Sequence, residues 1–441
     1  MQKEKLNGSL LEENMPPRID DSGYGEPTIH LYGESNDRYT DFKMNSEILS
    51  RHLMLIGGTG CGKTNTFFHI VSQLKDQMDD NDVMIIFDTK GDYYERFFDK
   101  GRDCVLSTAE KYRDLSVAWN VFEEILVDGT DPYTLNDNIS EICWGLFSEA
   151  INKNTSNPFF PNAARDMLSA ILTCIFRKTG NGNGQELQEL YLNNAFLKTY
   201  LNTLSVKELR ELLENQSDQV AVMSYVGDGN NDQGLGVFAE LQSVIRKIFV
   251  SSFAENGDFS IRSFVRNKGA KALFIEYDLT RGSMLTPIYK LLIDLALKEA
   301  MSRKEGERGN VYLFCDEFKL LPDLLHIENA VNFGRSLGLK VFAGLQSIDQ
   351  ITESYGEARG KNIIAGFSSV FSFRANDEAT RQFTVGKYGK NYIIEQYDYE
   401  HKDKRIGNVV EDWDLGTLKK GEAVVGLTDH EPFKFRFELF R

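Results

Sequence analysis

An apolar stretch, Leu53-Met54-Leu55-Ile56, leads into GGTGCGKT at residues 57–64 and from there into FFHIVSQLKDQM at residues 67–78, a run of helical character. The octapeptide fits G-x-x-x-x-G-K-[ST], and a strand before it with a helix after it is the context that makes this pattern a phosphate cradle rather than a chance turn. In such a loop, formed here by Gly57, Gly58, Thr59, Gly60, Cys61 and Gly62, glycines let backbone N–H groups turn inward, and the helix N-terminus adds partial positive charge. Lys63 is then expected to reach the β and γ phosphates of ATP and Thr64 to hold Mg2+. A glycine turn that binds nothing would need both flanks to be coincidental.

The next strong strand, Val83 to Phe87, is a continuous apolar run of the kind found in parallel sheets covered on both faces. It ends in Asp88-Thr89-Lys90-Gly91-Asp92, where polar groups face the ligand-binding edge of open α/β sheets. Asp88 and Lys90 are therefore candidate nucleotide contacts, against the alternative of a plain strand-to-helix turn. Further on, VYLFCDE at 311–317 ends four apolar residues and a cysteine in an acidic pair. Downstream of a P-loop this is read as the metal-binding strand, with Asp316 organising the Mg2+ shell and Glu317 polarising the attacking water. The strand LKVFAGLQS at 339–347 places Gln346 where an amide could sense the γ-phosphate, the competing role being a cap on the next helix. Arg335 precedes that strand on the far flank. It is either an ordinary surface arginine or a finger that completes a neighbouring subunit's site.

The 441 residues, 41% hydrophobic, allow one large domain with an insertion or two to three domains. A polar tail is expected over 1–27, a first nucleotide-binding part over 28–130, an all-helical insertion over 131–255 and a second nucleotide-binding part over 256–441. Four amphipathic runs give the insertion its helical character, and it carries nine Lys+Arg against fifteen Asp+Glu. With a net charge of -16 the chain as a whole does not match nucleic acid, so DNA contact requires a local basic surface. Loops carrying Arg262, Arg266, Lys268 and Lys271 are candidates. Five scattered cysteines read as reduced thiols, with Cys61 either a small spacer or an oxidisable thiol, and no zinc pattern is seen. No signal peptide or spanning run is visible, so a soluble protein is expected. HKDKR at 401–405 reads as a solvated loop, and EAVVGLT with FKFRFELF as a closing hairpin.

GGTGCGKT, FDTKGD, the WN of SVAWN, LFCDEFKLLP, the FGRSLGLKVFAGLQSIDQI block and the YG of ESYGEARG follow one another as they do in type IV secretion coupling proteins. Over about residues 28–441 the chain resembles this TraG/TraD group of conjugative DNA-transfer ATPases. The resemblance implies an α/β fold, a RecA-like P-loop NTPase with a mostly parallel central sheet and an inserted all-α domain. It also implies a ring-shaped homohexamer that hydrolyses ATP with Mg2+ at subunit interfaces and moves DNA toward a secretion channel. Asp88 and Lys90 match the group's second-strand motif, Arg335 becomes a trans-acting finger and Gln346 a coupling residue. Members typically begin with transmembrane helices and carry a basic channel, whereas this sequence shows no apolar span and is acidic. The implied partners are DNA, further copies of the chain, and a relaxase, secretion-channel or membrane-anchor protein. The implied location is the cytoplasm or the inner face of the cell membrane. The alternative function is a nucleotide-dependent docking protein that recruits a relaxase or protein cargo through the acidic insertion.

Overall fold

The computed structural model describes residues 2–154, 156–180, 190–214, 216–226, 232–280, 282–396 and 402–441. Most of the glycine-asparagine tract at 180–184, and residues 227–231 of the second glycine-rich tract, lie outside these. The chain divides into two compact units, one of Met1–Asp103, Lys268–Phe274 and Ala300–Arg441, the other of Cys104–Asn267 and Ile275–Glu299.

The first unit is built on a large sheet. Its strands, in chain order, are β2 (Ile29–Ser35), β3 (Arg38–Met44), β4 (Leu53–Ile56), β5 (Val83–Asp88), β7 (Lys271–Glu276), β8 (Val311–Cys315), β9 (Leu339–Leu345), β10 (Ser369–Phe373), β13 (Glu422–Gly426) and β14 (Phe433–Phe437). Their spatial order is β3-β2-β14-β13-β10-β4-β9-β8-β5-β7. The pairs β10/β4, β4/β9, β9/β8 and β8/β5 are parallel. These strands are buried along their whole length, as the continuous apolar runs require when both faces are covered. The β3-β2-β14-β13 flank is antiparallel, and β2 alternates buried with more exposed residues. Phe42 closes that flank, edge-on to Phe433 and Phe435 at 5.2 and 4.9 Å.

One consequence of the strand order matters for the site. β9 lies between the P-loop strand β4 and the acidic strand β8. Whatever closes β9 therefore emerges between the phosphate loop and the acidic pair.

Two expectations change. Residues 1–27 are not a free tail: Gln2–Asn7 forms β1, antiparallel to β11 (Lys390–Gln396), which pairs in turn with β12 (Lys402–Asn408). Leu11 buries against Val409, Val410, Leu415 and Leu418, which supplies the apolar contact that fixes the arm. The charged run at 402–405 is part of β12 rather than a loop; its lysines and arginine suit an outer strand of a small sheet.

The second unit contains β6 (Cys104–Ser107) and is otherwise mainly helical, including Pro132–Lys153, Phe159–Gly180, Asn194–Thr203, Val206–Glu214 and Asp232–Ile248. It begins some way before the insertion expected at 131, because Trp119-Asn120 ties distant segments together. Asn120 caps the helix Val121–Leu126, and its amide donates to the carbonyls of Leu192 and Gly257 at 3.0 and 2.9 Å. Fully buried Trp119 donates through Nε1 to Glu124 at 3.0 Å.

Candidate active site

The P-loop leaves β4 through Gly57, whose N–H donates to Leu345 O at 3.1 Å, and Gly58, whose N–H donates to Arg374 O at 2.9 Å. Gly57 and Gly62 have φ of +150° and +121°, and a Cβ at either would come within 2.9 Å of Phe373 or Gly421. The loop is thus pressed against neighbouring backbone where only glycine fits. Among the described residues, the N–H groups of Gly60, Gly62, Lys63 and Thr64 have no acceptor. Four donors at the start of the helix Lys63–Gln77 form the anion-binding arrangement that phosphate chemistry needs.

Lys63 is buried, its Nζ held by the carbonyls of Gly57 and Gly58 at 2.6 and 3.2 Å. Cys61 is a buried thiol whose pKa is raised by burial, against a lowering effect of Lys63, so its place in the loop fits a spacer.

Thr64 Oγ1 donates to Asp316 Oδ2 at 2.6 Å, which brings the end of β8 to the P-loop helix. Desolvation raises the Asp316 carboxyl above the ordinary range, and neighbouring Glu317 adds to the shift; Thr64, Lys63 and Tyr93 act against it. Gly344, in the adjacent strand, permits this approach, since a Cβ there would lie 2.2 Å from Asp316 O.

Gln346, just beyond β9, joins the two motifs. Its Nε2 donates to Glu317 Oε2 at 3.1 Å, while its Oε1 accepts from Thr59 Oγ1 at 3.3 Å. The competing role, a cap on the next helix, Asp349–Tyr355, falls to Ser347, whose Oγ accepts the N–H of Asp349 at 3.3 Å, and not to the Gln346 amide.

The side chains of Asp88, Lys90 and Arg335 make no direct bond to this group among the described residues. Asp88 accepts from the N–H groups of Lys90 and Tyr93 at 3.1 and 2.9 Å, so its carboxylate is occupied with the turn after β5. Lys90 is exposed. Arg335 lies in the turn Gly334–Leu337 before β9, half-exposed and 3.6 Å from Glu47. A residue that sequence reasoning missed is Tyr93, whose hydroxyl donates to Asp316 Oδ2 at 3.1 Å. A tyrosine in an aromatic-rich helix carries no distinguishing signal.

Three of the four basic candidates for DNA are tied up in ion pairs. Arg262 is buried and paired with Asp128 at 2.6 Å and Glu299 at 3.2 Å. Arg266 pairs with Asp128 and Glu299, both at 2.7 Å, and Lys268 with Glu307 at 3.2 Å. These cations hold the fold together. By contrast, Arg246 and Lys247 at the end of Asp232–Ile248 are exposed and form no ion pair among the described residues. They line a cleft with Thr108, Ser243 and Ser251 and with the apolar Val250, Met284 and Leu285.

A P-loop strand and an acidic strand separated by one strand, with an amide bridging them, define a P-loop α/β protein carrying a helical unit. Residues 41–405 match the family described as type IV secretion-system coupling protein DNA-binding domain, and the chain belongs to that family. It is 22% identical to the coupling protein TraD of Escherichia coli K12 over 410 residues, which cover 90% of this chain and 52% of TraD. The chain thus spans about half the length of that relative. The fold is similar to unbound TrwBdeltaN70, a bacterial conjugative coupling protein, with TM-score 0.71 and 21% identity over 93% of this chain and 90% of that one. TrwB with ADP and Mg2+ matches with TM-score 0.69 and 21% identity, over 94% and 95% of the two chains. Among the described residues, no helix is long and apolar enough to cross a membrane.

Proposed function

We propose that this chain is the ATP-hydrolysing motor part of a coupling protein that moves DNA for a conjugation or type IV secretion system. The observation that carries the reading is the hydrogen-bonded line from Thr59 through Gln346 to Glu317, set beside the Thr64–Asp316 contact. It connects a phosphate loop to a carboxylate suited to orienting water, through an amide that can transmit the state of one to the other.

In this reading the loop N–H groups and Lys63 bind the β and γ phosphates, and Thr64 and Asp316 hold Mg2+, which when bound neutralises phosphate charge. Glu317 orients and polarises water, and Arg335 of a neighbouring copy offsets transition-state charge in a ring. Asp88 shapes the adjoining turn by accepting the N–H groups of Lys90 and Tyr93, and the exposed side chain of Lys90 stays available to nucleotide. TrwB, a structural relative, is described in complex with ADP and Mg2+, which agrees with this use of the site. DNA would be gripped through its phosphates, with Arg246 and Lys247 as the favoured contacts on the helical unit.

ATP turnover, measured with and without single- and double-stranded DNA across a salt series, tests the reading. DNA is expected to stimulate turnover at low salt, and Lys63→Ala and Glu317→Gln to abolish it. Stimulation by a relaxase or protein cargo but not by DNA would replace the translocase with a docking protein that recruits such cargo.

A further inference from the structure

The side chain that fixes the metal-binding carboxylate comes from outside both nucleotide motifs. In the paired register of β5 and β8, Phe87 faces Cys315, so Asp88 and Asp316 leave the sheet side by side. Asp88 does not turn toward the P-loop. Its Oδ2 accepts the N–H of Tyr93 at 2.9 Å and its Oδ1 that of Lys90 at 3.1 Å, which sets the start of the helix Asp92–Phe97. The tight turn depends on Gly91, at φ +79°. Tyr93 is thereby aimed back at the neighbouring strand, where its hydroxyl reaches Asp316 Oδ2 at 3.1 Å.

The ring is clamped as well as aimed. Tyr93 is 2% exposed and meets Phe68 of the P-loop helix edge-on at 5.0 Å, with Phe97 at 6.4 Å on its own helix. Thr64 donates to the same oxygen, Asp316 Oδ2, at 2.6 Å. Two hydroxyls from two elements therefore pin one carboxylate oxygen, while Oδ1 has no donor among the described residues. A carboxylate held by one oxygen and open at the other has the rotamer and the free lone pairs that a metal shell requires.

We propose that Tyr93 is a positioning residue that presents Asp316 to Mg2+, and that Asp88 acts on the site through Tyr93. The proposal rests on the ATP·Mg2+ reading of the site. It also explains why an acidic residue at the end of β5 belongs to this site without touching nucleotide.

Tyr93→Phe keeps the ring and its packing and removes only the hydroxyl. Binding of a fluorescent ADP derivative to the full chain would be titrated first in EDTA, then at fixed nucleotide over a Mg2+ series. Affinity in EDTA depends on the loop and Lys63 and is expected to stay within twofold of wild type. The Mg2+ concentration giving half of the enhancement is expected to rise about tenfold, the lower end of what loss of a metal ligand's hydrogen-bond partner costs. Asp88→Asn, which keeps one acceptor, is expected to shift the Mg2+ midpoint in the same direction by less. An unchanged midpoint in Tyr93→Phe overturns the proposal, and so does an equal loss with and without Mg2+, which marks a merely structural tyrosine. Wild-type protein that binds no nucleotide overturns the ATP reading and this inference together, whereas Mg2+-enhanced wild-type binding with an unaltered variant overturns the inference alone.

Discussion

Glu124 is fully buried, yet four donors converge on its carboxyl: Trp119 Nε1, Ser260 Oγ and the N–H groups of Ile261 and Arg262. Burial pushes it up from 4.5 to about 6, and the donors offset only part of that. The folded chain thus holds this proton more tightly than the unfolded chain. The associated stability is fully present below pH 4.5 and lost as the pH rises through about 6. The difference amounts to about 2 kcal/mol. Urea titrations at several pH values, read by hydrogen-exchange protection of peptides covering 119–126 and 260–267, should show this fall. Glu124→Gln should flatten it between pH 4.5 and 7, and an unchanged slope in the variant would assign the pH dependence to other groups.

At the scale of elements, the exposed cations at the end of Asp232–Ile248, without an ion pair among the described residues, contrast with the paired cations of the Arg262 cluster. Replacing both Arg246 and Lys247 by alanine should weaken DNA binding alike for all sequences and lower the salt slope for single strands by about 1.4, at roughly 0.7 per phosphate contact. An unaltered slope would move the DNA contact elsewhere. Arg262→Ala should instead destabilise the helical unit by up to about 3 kcal/mol, because Glu299 and Asp128 lose their buried partner and keep only the more exposed Arg266. Sequence could not make this distinction. The four arginines and lysines chosen from it look like a basic patch, and only folding brings Asp128, Glu299 and Glu307 onto three of them. What was legible were the features whose chemistry is local: the glycine loop with its flanks, the apolar strands ending in Asp316-Glu317 and in Gln346, and the amphipathic helices. What was not legible depends on contacts distant in sequence. β12 hides behind the charges of an outer strand, β1 finds its partner nearly 400 residues away, and Tyr93 looks like core until β5 and β8 pair.

For the whole molecule, the decisive geometry is the position of Arg335. It sits before the first residue of β9, and Gln346 follows the last, with the seven-residue strand between them. At about 3.3 Å per residue the two ends of that strand are roughly 20 Å apart, on opposite edges of the sheet. Arg335 therefore cannot serve its own P-loop, and any role in hydrolysis belongs to another copy. A ring built from head-to-tail contacts would supply that copy, since such interfaces close when the rotation between subunits allows it. This makes a measurable claim about mixtures. Arg335→Ala retains Glu317, and Glu317→Gln retains Arg335, and each alone should be close to inactive. Random 1:1 mixing unites an intact Glu317 with an intact Arg335 at one interface in four, so activity on the order of a quarter of wild type is expected to return if the sites fire independently. The mixture is assembled under conditions where sedimentation shows exchange of labelled subunits, so that a failure to mix is not read as a failure to complement. If subunits exchange, Arg335→Ala alone keeps wild-type turnover and the mixture stays at the mean of the two variants, Arg335 is a surface arginine paired with Glu47 and the site is complete within one chain.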